Sequence, residues 1–216
     1  MLLAGRCEVF HIEQSGPAFA VRDVEDGLVS VAGRVPEAAV REAAGCGSAV
    51  ISPSEDAPRV AGALTGWSPV RAVLHLPGDT VQPARVPAEG VRPLLPAELE
   101  SAEDLPEALR SELEIGLRRS VVAAAFAGDR PVSFCYVAAE TEGLWDLAID
   151  TLAGFRRWGF AARCASYMLR QMEGSGKRPV WGAEETNAAS LGLAERLGFV
   201  PVDEVVVFHP PAGGSC

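Results

Sequence analysis

Long apolar runs are missing from this sequence of 216 residues. The longest uninterrupted run, Val121–Ala127, is far shorter than the roughly 20 residues that a membrane-spanning helix needs. The first residues, MLLAGRCEVF, also lack the basic start and the longer apolar stretch of a signal peptide. These absences predict a soluble cytoplasmic protein without a membrane partner.

Closely spaced metal ligands are missing as well. The five cysteines and three histidines are scattered along the chain, and no two cysteines form a CxxC pair. Zinc sites use cysteine and histidine at short spacing, so we expect no metal cofactor. Cys135 and Cys164 lie in apolar segments, which favours their interpretation as small core residues.

Positive charge is scarce, and Lys177 is the only lysine. The 19 basic and 29 acidic residues leave a net charge of −10. A protein that binds a phosphate backbone needs a basic surface, so we expect no nucleic-acid partner. Hydrophobic residues make up 48% of the chain and charged ones 22%, which is typical of a folded globular protein with one large domain or two small ones.

The first part of the chain alternates short apolar runs with helix-like segments, which predicts a small α/β segment over residues 1–88. A stretch rich in proline, Pro77–Pro96, follows and is interpreted as a connector, with the domain boundary near residue 88. No internal repeat is apparent. The predicted strands are Val9–Ile12, Ala18–Val21, Leu28–Val31, Ala49–Ile51 and Val70–Leu76, and the predicted helices are Pro36–Ala44 and Ser54–Leu64.

Residues 89–216 predict a mixed α/β domain with a mostly antiparallel central sheet flanked by helices. A Gly-Asp turn between two apolar runs indicates a hairpin at its centre. The predicted strands are Val91–Leu94, Ser120–Ala127, Pro131–Ala138, Leu144–Thr151, Val180–Ala183 and Val205–Phe208, and the predicted helices are Leu105–Leu117, Gly159–Met172 and Asn187–Leu197.

Two glycine patterns resemble nucleotide-binding motifs but lie in the wrong context. The segment Gly45-Cys46-Gly47 and the segment Gly174-Ser175-Gly176-Lys177 each lead from a predicted helix into a predicted strand. Phosphate-binding glycine loops run from a strand into a helix instead. We therefore interpret both segments as turns.

The junction after the strand Leu144–Thr151 is the most informative segment. Arg156 and Arg157 lie in the turn, and a helix begins near Gly159. The first turn of a helix presents unpaired N–H groups and the positive end of the helix dipole, which together suit a pyrophosphate. An ordinary turn with surface arginines is the other interpretation of this segment alone.

Two further motifs follow the junction in order. They are Asn187-Ala-Ala-Ser190 and Leu197-Gly198-Phe199, and they come after the segment Arg156-Arg-Trp-Gly159-Phe-Ala161. Together the three motifs resemble the GNAT superfamily of acyl-CoA-dependent N-acyltransferases, whose pyrophosphate loop has the pattern R/Q-x-x-G-x-G/A. The resemblance covers roughly residues 91–210.

The resemblance implies an N-acetyltransferase that uses acetyl-CoA and a small-molecule or peptide primary amine that attacks the thioester directly. It implies that the backbone of Ile149, Asp150 and Thr151 pairs with the pantetheine arm. It also implies that Asn187 hydrogen-bonds the pantetheine. The main chain of the turn would hold the pyrophosphate through Arg156, Arg157, Trp158, Gly159, Phe160 and Ala161.

The catalytic groups are where the sequence departs from the family. Many members carry a tyrosine seven positions after the asparagine, where this chain has Ala194. Ser190 is a candidate acid for the leaving thiolate, and equally a residue that starts a helix. Asp146 is the candidate base, and Asp150 shares its strand face. Carboxylates at such a cleft are more often solvated rim charges than bases, and the other flanking ones are Glu140, Glu142, Glu184 and Glu185.

Two other functions remain open at this point. Because the tyrosine is missing, the chain also fits a catalytically inactive acyl-CoA-binding or regulatory module. A third interpretation is a two-part scaffold in which the first segment mediates a homodimer instead of forming the acceptor side of an enzyme.

Overall fold

A computed structural model describes residues 7–13, 16–45, 48–78, 86 and 88–211 of the protein. The chain divides into two compact units, each built from separate stretches of sequence. The first unit comprises Met1–Leu74, Ala183–Ala188 and Val202–Cys216. The second comprises His75–Gly182 and Ala189–Pro201.

The first unit is built on a sheet whose first three strands form an antiparallel meander. Strand β3 then pairs in parallel with β4, because a helix connects them and reverses the chain. The elements from the start of the chain are β1 (Cys7–Ile12), β2 (Phe19–Asp23), β3 (Leu28–Ala32), α1 (Glu37–Ala44), β4 (Ala49–Pro53), α2 (Ala57–Ala63) and β5 (Ser68–Pro77).

The core of the first unit follows from the alternation along its strands. Val29 and Val31 of β3 are fully buried, and Val50 of β4 and Val40 of α1 pack in the same cluster. Removing such side chains from water is the main favourable term in folding. The amphipathic helix α1 therefore covers one face of this sheet.

The second unit carries the larger set of elements. Its strands run in the order β6-β7-β8-β9-β10, antiparallel except for the parallel pair β9 and β10, which α5 connects. The elements after β5 are β6 (Val91–Pro93), α3 (Pro96–Ser101), α4 (Glu107–Arg119), β7 (Ala123–Ala127), β8 (Arg130–Glu140), β9 (Leu144–Thr151), α5 (Phe160–Met172), β10 (Arg178–Glu184), α6 (Ala188–Arg196) and β11 (Phe199–His209). Most of β11, from Val202 on, belongs to the first unit.

Alternate residues of β8 face two different helix layers. Phe134 and Tyr136 pack in one cluster with Leu113 of α4. On the other face, Cys164 of α5 donates its thiol to the carbonyl of Ser133 at 3.4 Å. The two cysteines predicted as core residues, Cys135 and Cys164, are fully buried. Burial raises the pKa of the Cys164 thiol to about 12, so it stays neutral.

The same order of elements occurs twice along the chain. From β1 to β5 and again from β7 to β11, three strands are followed by a helix, a strand, a helix and a strand. The parallel pairing has the same length in both, joining residues 28–30 with 49–51 and residues 144–146 with 178–180. The structure therefore contains an internal repeat that the sequence does not reveal.

The two copies differ at the turn after the third strand. In the first copy the turn is short, and the Gly33 N–H donates to Asp56 Oδ2 at 2.6 Å. Arg59 donates to both the Gly33 carbonyl and the Asp56 carboxylate. The backbone N–H of Gly33 in that turn is therefore already hydrogen-bonded to a carboxylate of the same chain, Asp56.

The structure confirms the predicted fold class, and all the predicted helices and strands are present with shifted ends. Helix α3 was not predicted because it begins at Pro96, the last proline of the stretch that was interpreted as a connector. Pro96 is its first residue, and Glu98 accepts the N–H of Leu95 at 2.9 Å, which are ordinary signals of a helix start.

The compact units also differ from the predicted boundary near residue 88. Residues 89–216 were expected to stay together, whereas Ala183–Ala188 and Val202–Cys216 belong to the first unit. The reason is a long-range pairing, because residues 205–208 of β11 lie antiparallel to residues 50–53 of β4. Sequence proximity gives no information on such a pair.

Candidate functional site

The bend between β9 and α5 presents backbone donors to open space. After a short 3-10 helix at Ala153–Phe155, Arg157 has a φ of 64° and Gly159 a φ of 81°. Two left-handed residues so close together turn the chain sharply into α5. No side chain among the described residues caps the start of α5, and the first N–H groups of any helix lack an intrahelical partner.

Gly159 keeps the surface above this bend clear. A Cβ atom placed on Gly159 would meet no heavy atom within 4 Å. Phe160 and Ala161 then begin α5, and the side chain of Trp158 is 73% exposed. The bend therefore has the open donors that an anion site needs.

The arginines of the bend differ in position. Arg156 donates from Nε to the carbonyl of Thr151 at 3.2 Å, which ties the bend to the end of β9. Arg157 is exposed. Its strained backbone is notable because left-handed geometry is unfavourable for residues other than glycine and is often found at functional sites.

Strands β9 and β10 separate after a short common stretch. Their pairing joins residues 144–146 with 178–180, while β9 continues to Thr151. Along the remainder of β9, Ile149, Asp150 and Thr151 pair with β8 on the other side. On the side that faces β10, these three residues form no strand pairing with β10. Such an edge can accept an extended ligand.

Asp146 lies where the two strands separate. Its carboxylate accepts the N–H of Leu147 at 3.0 Å and also the backbone N–H of Gly182 on β10. Burial raises the pKa of Asp146 to about 6, although these two hydrogen bonds oppose the shift. A carboxyl in this range suits proton transfer near neutral pH. Its predicted role as a base stays a prediction.

A second polar cluster, the Tyr136 cluster, consists of Glu112 on α4, Tyr136 on β8 and Asp150 on β9. The Tyr136 hydroxyl lies 2.5 Å from Glu112 Oε2 and 3.3 Å from Asp150 Oδ2. Burial and the neighbouring Glu112 carboxylate raise the pKa of Asp150. Burial and the hydrogen bond with Glu112 also raise the pKa of Tyr136. The sequence analysis singled out Asp150 but missed the other two residues.

A cavity of about 380 Å³ opens in the second unit near the end of β9. Leu152 lines it and lies on the same sheet face as Asp150, two residues further along the chain. Four of its ten lining residues are carboxylates and one is cationic: Glu98, Glu103, Asp104, Asp129 and Arg130.

Ser190 contacts a buried aromatic side chain. Its Oγ accepts the indole N–H of Trp181 at 2.9 Å, and Trp181 packs edge-on against Phe199 at 5.4 Å between ring centroids. Ser190 lies in the first turn of α6, so both of its predicted roles remain predictions. Asn187 immediately precedes α6 in the first unit, and its contact with pantetheine likewise stays a prediction.

The other flanking carboxylates mostly form ion pairs. Glu140 pairs with Lys177, and Glu185 accepts from Arg71 Nε at 2.9 Å. Glu184 lies 2.6 Å from His209 Nε2. Glu142 is exposed. These contacts favour their interpretation as rim charges over that of catalytic groups.

The two dismissed glycine patterns differ in what the structure describes. Gly174 and Gly176 have positive φ values in the turn from α5 into β10, which confirms the interpretation as a turn. For the other pattern, Cys46 and Gly47 lie outside the described residues. Within the described ranges, no helix is long and apolar enough to cross a membrane, and no group of three or more His, Cys, Asp or Glu could hold a metal ion.

A family model described as GNAT acetyltransferase matches residues 111–208, from α4 to β11. Residues 111–208 belong to the GNAT superfamily. This confirms the resemblance, and membership of the GNAT family supports acyl transfer as the general chemistry of this region.

Solved structures with the GNAT fold also match the chain. A GCN5-related N-acetyltransferase-like protein from Streptococcus suis 89/1591 is 15% identical with a TM-score of 0.75, covering 95% of this chain and 89% of that chain. A GCN5-related N-acetyltransferase from Kribbella flavida is 19% identical with a TM-score of 0.59, covering 92% and 88%.

A tandem GNAT protein from the clavulanic acid biosynthesis pathway is 14% identical with a TM-score of 0.54, covering 92% of this chain and 79% of that chain. At these identities the likeness establishes the GNAT fold alone. No curated protein sequence matches this chain.

Proposed function

We propose that the protein transfers an acetyl group from acetyl-CoA to a primary amine by direct attack of the amine on the thioester. The observation that carries the proposal is the bend at Arg157 and Gly159, whose donors face open space beside the unpaired side of β9. This combination fits an elongated ligand that carries a pyrophosphate at one end.

The residues of the GNAT domain fit acetyl-CoA in two places. The uncapped start of α5, from Phe160, would hold the pyrophosphate through backbone N–H groups. The β10 side of residues 149–151 would hold the pantetheine arm as an added strand does. When bound, acetyl-CoA supplies a thioester that an amine can attack.

The acceptor is proposed to be a small-molecule or peptide amine in its cationic form. The lining of the cavity near Leu152 includes four carboxylates and one arginine, and the whole chain has a net charge of −10. Carboxylates around a cavity attract a cation. The same charge argues against a nucleic-acid partner, and a cytoplasmic location accompanies the proposal.

Two side chains are proposed for the chemistry itself. Asp146, whose burial raises its pKa to about 6, is the proposed base for the ammonium. Ser190 is the proposed acid for the departing thiolate. Its oxygen already accepts the Trp181 indole N–H, and accepting one hydrogen bond strengthens a hydroxyl as a donor.

A second candidate is a catalytically inactive acyl-CoA-binding module. The observation that favours it is Ala194, which is fully buried where many family members carry a catalytic tyrosine. Such a module would bind acetyl-CoA at the same bend but would lack an acid at that position. The first unit would then serve a partner or a second copy of the chain.

Calorimetry with CoA, followed by an acetyl-transfer assay, separates the two candidates. The assay panel contains amino acids, polyamines, aminoglycosides and peptides with free N-termini. Binding together with transfer to any amine supports the enzyme. Binding without transfer to any of them supports the inactive module, and the absence of CoA binding rejects both.

A further inference from the structure

Three aromatic residues lie at the bend between β9 and α5, and they are Phe155, Trp158 and Phe160. The rings of Phe155 and Phe160 pack edge to face, with 6.3 Å between their centroids. The guanidinium of Arg130 lies 5.5 Å from the Phe155 centroid, and that of Arg163 lies 4.6 Å from the Phe160 centroid. Within the described ranges, Trp158 has neither a ring partner nor a cation partner.

Trp158 is also unusually exposed for its residue type. It is 73% exposed, which is the largest value among the large hydrophobic residues that the structure describes. The other tryptophans differ, since Trp145 and Trp181 are 1% exposed and Trp67 packs against the core of the first unit. Tryptophan is highly buried on average in folded proteins. Trp158 therefore presents an unused aromatic face to solvent.

The backbone of the bend determines where this indole lies. Arg157 has a φ of 64° and Gly159 a φ of 81°, so Trp158 is held between two left-handed residues. Arg156 Nε donates to the carbonyl of Thr151 at 3.2 Å, which attaches the same turn to the end of β9. Left-handed geometry is unfavourable at Arg157, and such strain persists only where the surrounding structure imposes it. The indole is thus presented from a defined turn.

Trp158 lies next to the proposed pyrophosphate site. It comes two residues before Phe160, which begins α5, so their Cα atoms are at most about 7.6 Å apart. In CoA the pyrophosphate joins the pantetheine arm to the adenosine. If the arm lies along residues 149–151 and the pyrophosphate lies at the start of α5, the adenosine continues beyond the pyrophosphate, at the bend itself.

We propose that the indole of Trp158 is a stacking surface for the adenine base of CoA. The inference rests on the proposed binding of acetyl-CoA at this bend, and it names the part of the carrier that a side chain recognises. Aromatic side chains stack on the flat face of a nucleobase without hydrogen bonds to its edges. Arg157 is exposed next to Trp158 and adds a positive charge that suits an anionic nucleotide.

The consequence is a preference for one class of acyl carrier. Phosphopantetheine has the same thioester arm as CoA but lacks the adenosine, so it cannot contact Trp158 in this way. Removing an aromatic side chain that stacks on a base weakens binding by about 5- to 150-fold. We therefore expect the protein to bind CoA more tightly than phosphopantetheine, with Trp158 responsible for a factor of that size.

Calorimetry with these two ligands tests the stacking. Trp158→Ala should weaken the affinity for CoA by about 5- to 150-fold, and Trp158→Phe, which keeps an aromatic face, should lose much less. The affinity for phosphopantetheine should hardly differ between wild type and Trp158→Ala. The matched control is Leu95→Ala, which truncates another exposed hydrophobic side chain of the second unit and should bind CoA as wild type does.

Tryptophan fluorescence supplies a readout that a merely structural role would not change. A stacked adenine quenches indole emission, so CoA should lower the emission of the wild type and phosphopantetheine should not. The decrease should disappear in Trp158→Phe. It should persist in Trp67→Phe, a matched control because Trp67 is the other tryptophan that is not fully buried.

The outcomes separate this inference from the proposed function. Wild-type affinity for CoA in Trp158→Ala, equal losses for both ligands, or an emission that CoA leaves unchanged would each overturn the stacking alone. In the first case the exposed indole would be assigned to a contact with another protein. The absence of CoA binding to the wild type would instead overturn the proposed function, and the stacking with it.

Discussion

The bend at Gly159 offers the sharpest test of where the acyl carrier binds. Gly159→Leu adds a side chain where nothing lies within 4 Å at a residue with a φ of 81°. Gly174→Leu is a matched control, since Gly174 has a φ of 90° and also nothing within 4 Å, but lies in the turn after α5. Only the first glycine belongs to the proposed pyrophosphate site.

The strain of the two variants should be alike. A residue with a Cβ in left-handed geometry costs about 1–2 kcal/mol. In a chain of this size each kcal/mol lowers Tm by about 2–4 °C. Since neither added Cβ meets a described heavy atom within 4 Å, we expect each variant to fold and to melt roughly 2–8 °C below wild type.

The affinity for CoA should differ between them. The leucine at position 159 keeps the pyrophosphate from the first N–H groups of α5, and a hydrogen bond to a charged group contributes about 1.5–3 kcal/mol. Losing one such bond weakens the Kd about 10- to 100-fold. Isothermal titration calorimetry with CoA measures this loss, and differential scanning calorimetry measures Tm. Wild-type affinity in Gly159→Leu, or equal losses in both variants, would refute the assignment.

The remaining predictions concern charge, strain and stoichiometry. Folding raises the pKa of Asp146 from 3.8 to about 6, so the folded state binds more protons and the free energy of unfolding falls as pH rises through that window. Tm should therefore fall as pH rises through this range, and Asp146→Asn should make that fall in Tm smaller. It should also lower the rate of acetyl transfer and alter the acid limb of its pH profile. Arg157→Gly should stabilise the protein by about 1 kcal/mol, because glycine adopts the left-handed φ of 64° without strain. Calorimetry should find one CoA bound per chain, because Asp56 already accepts the Gly33 N–H in the corresponding turn of the first unit.

Each of these predictions has a control or an opposing outcome. Tm slopes that are identical in wild type and Asp146→Asn would show that this carboxyl keeps an ordinary pKa. Arg157→Ala removes the same side chain but retains the strained backbone, so it should not share the gain of Arg157→Gly. Two CoA molecules bound per chain would show that a ligand displaces the Asp56 carboxylate from the Gly33 N–H.

Local signals were enough to find the bend. Thr151 ends a strand, Gly159 precedes a helix and the arginines lie between them, all within a few residues. The geometry of such a junction depends mainly on the backbone preferences of its own residues. A local sequence pattern can therefore predict it. Helix α3 shows the limit of this reasoning, because the prolines around Pro96 were interpreted as a connector although one of them starts a helix.

The Tyr136 cluster could not be found in this way. Tyr136 is 24 residues from Glu112 and 14 from Asp150, and the contact depends on how α4 packs and on the register of β8 with β9. Period two along β9 indicated that Asp146 and Asp150 share a face. It could not indicate that two backbone N–H groups donate to the Asp146 carboxylate, whereas the Tyr136 hydroxyl contacts the Asp150 carboxylate.

Sequence patterns alone were sufficient for the order of the strands and of the helices other than α3, the acidic character of the chain and the superfamily of its second part. Each of these depends on neighbouring residues or on composition. Folding in three dimensions was needed for the pairing of β11 with β4, the internal repeat, the place where β9 and β10 separate and the partners of Tyr136. These features join segments that are far apart in the chain, and their contacts are specified by packing and strand register, which no short stretch of sequence contains.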